Sequence, residues 1–77
     1  MMRYRGTVDS REYEFFTKVL AMIPGAKIES SEEKMDTYFD ENYDEEVLTV
    51  EYNICIVAEE EPMELWRLMK AYGLKRD

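Results

Sequence analysis

Glu29, Glu32, Glu33, Asp36, Asp40, Glu41, Asp44, Glu45 and Glu46 crowd into eighteen residues that hold a single base, Lys34. Nine acids against one base equal the net charge of the whole chain, −8, and the remaining nine acids and nine bases cancel. Carboxylates at this density can do three kinds of chemistry. They bind hard cations, they exchange protons when two share a dry pocket, and they accept the paired N–H donors of arginine.

The spacing discriminates among the three. Asp40, Asn42, Asp44 and Glu51 stand at relative positions 1, 3, 5 and 12, the ligand spacing of an EF-hand loop, with the apolar Val47 at position 8. The glycine that turns such a loop at position 6 is replaced by Glu45. The residues after Asp44 pattern as a strand, where the motif needs a helix. No metal ligand set and no cofactor are therefore expected. Acid–base catalysis needs an enclosed pocket, for which a domain this small has little room. The chain has no histidine, the commonest general base and metal ligand. Cys55 sits between Ile54 and Ile56 with no base or cation beside it to generate a thiolate. A partly buried, inert thiol and a protein without catalytic residues are expected.

Charge recognition remains. A localised acidic field repels nucleic acid and anionic membrane and attracts basic protein surfaces. Between Asp36 and Asp44 the acids interleave with Tyr38, Phe39 and Tyr43. Tyrosine supplies rigid apolar area with a polar tip, a combination enriched at interface hot spots. The expected partner surface is Asp36, Tyr38, Asp40, Glu41, Tyr43, Asp44, Glu45 and Glu46. The plainer expectation for the same segment is a hairpin with Phe39 in the core, Tyr38 and Tyr43 over the sheet, and solvated acids in the turn. Same-face strand residues lie about 6–7 Å apart, inside the roughly 8 Å screening length at physiological salt. Crowding acids so closely costs stability, which favours a functional reason for it. Direct nucleic-acid binding is disfavoured, since Arg3, Arg5, Lys75 and Arg76 are few and scattered.

These residues must be positioned by a chain of 77 residues, enough for one domain over 1–77. Hydrophobic residues make up 45%, too many for a disordered acidic tail. The lone cysteine, an N-terminus without an apolar signal core, and the lack of any apolar run near the roughly 18 residues of a bilayer span point to a cytoplasmic protein.

The elements follow from periodicity. Met2, Tyr4, Gly6 and Val8 alternate as a first strand over 2–8. Asp9 or Ser10 then caps a helix to Ile23, whose stripe is Tyr13, Phe16, Val19, Leu20 and Ile23. Asp9 with Glu12 resembles a capping box, and Pro24-Gly25 ends the helix. Ala26 and Ile28 mark a short strand. Met35, Thr37 and Phe39 mark another. Leu48, Val50, Tyr52, Ile54, Ile56 and Ala58 form the apolar face of a dominant strand over 47–58. A last helix over 62–72 begins with Pro62 at its first helical position and stops at Gly73, suited to a left-handed cap. Its stripe is Leu65, Leu68, Met69 and Tyr72, with Trp66 at the core edge or in a dimer contact. The expected class is α+β, in the order β-α-β-β-β-α. Three to four antiparallel strands carry both helices on one face. The opposite face is left open and includes Asp36, Tyr38, Asp40, Glu51, Asn53 and Cys55.

At the level of class, the chain resembles the small acidic proteins with which phages and mobile elements block nucleic-acid-binding host machinery, anti-CRISPR and anti-restriction proteins among them. The likeness rests on size, localised charge, absent histidine and the acidic-aromatic segment 36–46. It implies a non-enzymatic inhibitor that occupies the basic surface of a nucleic-acid-binding protein, its carboxylates standing in for phosphates. The alternative is a small homodimeric structural or regulatory domain, joined through a sheet edge or the Trp66 helix, whose acids serve solubility.

Overall fold

A computed structural model describes all of residues 1–77. Strand β1 (Met2–Asp9) leads directly into helix α1 (Ser10–Ala21), followed by β2 (Ala26–Asp40), β3 (Glu45–Ala58), helix α2 (Met63–Ala71) and a two-residue strand β4 (Lys75–Arg76). The strands form one antiparallel sheet in the order β2-β3-β1-β4. The α+β class, the antiparallel sheet and the two helices agree with the sequence. The element order is instead β-α-β-β-α-β. The two short strands expected at 26–29 and 35–40 are one strand, and a fourth strand follows α2.

One β-bulge explains the merger. Ala26 and Ile28 share a face with Ala58 and Ile56, but between Ile28 and Ser30 the register shifts by one residue. Beyond it the odd-numbered residues Met35, Thr37 and Phe39 pair with Val50, Leu48 and Glu46 on that same face. A bulge adds one residue to one strand and so reverses which residues point inward.

Both helices lie on the inward face. Phe16 and Leu20 of α1, and Ile23 just beyond its end at Ala21 rather than within it as expected, meet Leu65, Leu68 and Met69 of α2 over Tyr4, Val8, Ile54 and Ile56 of the sheet. Phe16 is fully buried and meets Tyr72 edge-on, ring centroids 5.0 Å apart. Asp9 caps α1, its carboxylate accepting the Arg11 N–H at 2.8 Å. No reciprocal capping box forms, because Glu12 instead accepts from the Tyr72 hydroxyl at 3.2 Å. Pro62 occupies the N-cap of α2, one position earlier than expected, and its carbonyl accepts from Leu65 and Trp66.

Gly73 takes φ 71°. The Gly73 N–H bonds the Lys70 carbonyl and the Leu74 N–H bonds that of Met69, a Schellman ending. That ending turns the chain back along β1 and drives Leu74 over Gly6, where an added Cβ would lie 2.6 Å from Leu74 Cδ2. Gly6 is needed for this close approach.

Trp66 lies at the edge of the core, 45% exposed and under Lys70 Nζ at 4.8 Å, because it falls outside the Leu65–Leu68–Met69 stripe. No helix is long and apolar enough to cross a membrane.

Candidate binding surface

The molecule is far from round. Its principal extents are 47 × 17 × 17 Å and its radius of gyration 14.5 Å, where a compact chain of this length has about 11–12 Å. The elongation comes from strand lengths. β1 has eight residues while β2 and β3 have fifteen and fourteen. β1 pairs with β3 only as far as Asp9↔Glu51, and β2 and β3 continue alone to Asp40↔Glu45. Six residues of β3, about 20 Å at strand rise, therefore project with their β2 partners as a two-stranded arm.

The tip is the four-residue turn Glu41-Asn42-Tyr43-Asp44. Asp40 Oδ1 accepts the Asn42 N–H at 2.9 Å, a side-chain mimic of a backbone turn. Asp44 closes the loop at φ 52°, a left-handed conformation that aspartate tolerates better than most residues. The segment with EF-hand spacing is thus a strand end, a turn and a second strand.

Register sorts the charges. Residues directly opposite in a ladder share a face. On the face away from the helices lie the pairs Glu32/Asn53, Lys34/Glu51, Asp36/Thr49, Tyr38/Val47 and Asp40/Glu45. That face holds five acids and one base, which is weakly paired, Lys34 Nζ being 3.8 Å from Asp36. On the helix-side face lie Glu33/Tyr52, Met35/Val50, Thr37/Leu48 and Phe39/Glu46. Helical cover on that side reaches Tyr52, on which Tyr13 stacks at 4.0 Å while its hydroxyl meets Ser31 Oγ at 2.8 Å. Farther out, Met35, Phe39 and Leu48 are each more than half exposed.

Four of the eight expected partner residues, Asp36, Tyr38, Asp40 and Glu45, share the outward face. Glu41, Tyr43 and Asp44 form the tip, and Glu46 points to the opposite face, beside Phe39. The expected hairpin forms, with acids in its turn, but Phe39 is 56% exposed and lies outside the core, since no helix extends over it. Glu51 lies on this acidic face, in agreement with the strand pattern, though outside the expected partner residues, and Glu32 joins it from a stretch that the sequence did not assign to a strand. The signal for them was the strand alternation itself, which carries the outward face past the acid-aromatic segment in both directions.

The root of the arm is closed by an ion pair. Arg3 of β1 reaches across β3 to Glu29 of β2, Nε and Nη2 each 3.2 Å from a carboxylate oxygen. Cys55, only 8% exposed, sits beneath with Sγ 3.5 Å from Glu29. Burial first, then the hydrogen bond to Glu29 and its negative charge, push the thiol's pKa up. Cys55 is therefore held as the thiol, a weak nucleophile.

Comparisons with family models, with curated proteins and with solved structures gave no match for this chain.

Proposed function

We propose that this chain is a non-enzymatic binding protein whose arm occupies the basic surface of a nucleic-acid-binding protein in place of nucleic acid. The observation that carries it is the sorting of Glu32, Asp36, Asp40, Glu45 and Glu51 onto one uncovered face of a projecting arm. A protein that binds duplex DNA presents lysines and arginines matched to phosphates about 1.7 Å apart along the axis. Carboxylates alternating along two strands offer such side chains acceptors, and arginine can be held bidentately. Tyr38 beside Val47, and Tyr43 at the tip, add apolar contact that phosphates lack. Long-range attraction steers the encounter, and the tyrosines slow dissociation. By class analogy, the target belongs to nucleic-acid-binding host machinery such as a defence complex.

The test is capture on the immobilised protein from host lysate, identified by mass spectrometry at low and moderate salt. Captured proteins should be basic nucleic-acid binders, released by rising salt and by added duplex DNA. Replacing Asp36, Asp40 and Glu45 with Asn or Gln should reduce capture mainly through the on-rate, while Tyr38→Ala should speed release. Undiminished capture by the neutralised variant, or partners that duplex DNA fails to displace, would overturn the proposal.

A further inference from the structure

The arm has two edges, and they are built differently. β2 forms the outer edge of the sheet. It is broken by the bulge at Ile28/Ser30 and studded with Lys27, Glu29, Glu32, Glu33 and Lys34. Bulges and charges of this kind keep an edge from pairing with another chain. The inner edge lacks that protection. Where β1 stops opposite Glu51, residues Glu45–Val50 of β3 have a ladder on the β2 side and none on the other. The stretch Val47-Leu48-Thr49-Val50 is the longest uncharged run between Glu29 and Glu51, and three of its four residues are β-branched. An open edge of that composition is a pairing template.

We propose that this edge takes the same edge of a second copy, β3 against β3 in antiparallel register about a twofold axis at Leu48. Two features favour a second copy over an unrelated peptide. The first is isologous fit. A strand paired antiparallel with itself sets its uncharged centre against its uncharged centre and leaves Glu45 and Glu46 at the ends. The second is length. Because only six residues are free, the tip of each arm, Glu41 to Asp44, must arrive beside the place where the other copy's β1 ends and α1 begins. Asp9 at that corner already caps α1 and takes the Arg11 Nε and Nη2 donors, so charge there does not draw the acidic tip.

Such pairing would join the two exposed strips of Met35, Phe39 and Leu48 on one side. The acidic faces of both arms would lie together on the other side, still open. It would also oppose two copies of charge −8 each. Association should therefore strengthen with salt, because screening weakens like-charge repulsion, the opposite of the salt response expected for partner capture.

Sedimentation equilibrium of the full chain at about 0.05 and 0.5 M salt, where the Debye length falls from above 10 Å toward 3–5 Å, is the test. The expected result is a mass moving from 9.2 kDa toward twice that value as concentration and salt rise. Amides of 45–50 should gain hydrogen-exchange protection over the same range. Leu48→Glu should weaken the pair by about tenfold or more, because it sets like charges at the axis. Leu48 is 60% exposed, so the monomer's circular dichroism should not change. Asp36→Asn with Asp40→Asn should leave the pair intact while impairing capture, which separates this proposal from the preceding one. A mass of 9.2 kDa under all conditions would overturn it. So would a dimer that survives Leu48→Glu without protecting 45–50.

Discussion

Excising the outer arm tests where the cooperative fold stops. Met35 and Val50 stand opposite each other in the β2–β3 ladder. Replacing Asp36–Thr49 with Asn-Gly therefore joins a register pair through the two-residue loop that hairpins favour. No residue from Pro24 to Asn53 is fully buried, so no core contact leaves with the segment. The lost ladder belongs to a lone two-stranded ribbon, which is marginal at best in water. The excised segment carries six acids and no base. Two like charges about 7 Å apart repel by about 0.6 kcal/mol in water and roughly 0.2–0.3 kcal/mol after physiological screening. A few such neighbours sum to about 1 kcal/mol, the same order as the ribbon's own contribution. The unfolding free energy should thus change by no more than about 1 kcal/mol, against about 3–5 kcal/mol for truncating one large core side chain. Urea denaturation followed by circular dichroism measures it. The slope should hardly change, since it scales with surface exposed on unfolding, and most of that surface is in the body. A loss of about 3 kcal/mol or more, or of the cooperative transition, would refute the division into body and arm.

Two further outcomes concern the body. Gly6→Ala should destabilise by about 1–3 kcal/mol, the usual range for overpacking, because its Cβ would meet Leu74 Cδ2 at 2.6 Å and Leu74 Cα at 3.2 Å. Combining it with Leu74→Ala should cost less than the sum of the single changes, since the two groups collide. At high pH, Tyr4 should matter. Burial, then its hydrogen bond to Glu61, pushes its pKa from 10.0 to about 12. A raised pKa means the folded state holds the proton that the unfolded state loses. The stabilisation is therefore complete below pH 10 and lost as pH rises toward 12, at up to about 1.4 kcal/mol per pH unit. Tyr52 and Tyr72 shift in the same direction, each through burial first. The difference in urea midpoint between wild type and Tyr4→Phe across that window isolates Tyr4, and parallel curves would refute its role.

Local chemistry was legible in the sequence. Helix boundaries came from the Asp9 cap, Pro24-Gly25, Pro62 and Gly73, because caps and breakers act within a few residues. Strand faces came from period-two alternation, which correctly grouped Asp36, Tyr38 and Asp40 with Asn53 and Cys55. Charge localisation is a property of the sequence itself. What alternation could not tell was whether an apolar face is covered. Leu48 and Val50 continue the pattern of Ile54 and Ile56 without a break, yet Ile56 is fully buried and Leu48 is 60% exposed. Cover depends on how far β1 and the helices reach, and that is set by pairing register between segments distant in the chain. The same holds for the phase change between Ile28 and Met35. In the sequence it marks two strands, whereas in the fold a bulge unites them, because β3 runs unbroken beside both. Trp66 lay one step from a buried stripe, and only helix orientation decided how much of it faces solvent. The amino-acid pattern thus determined which residues share a face. Tertiary pairing decided which faces stay bare, because burial depends on what packs against a face as well as on what the face contains.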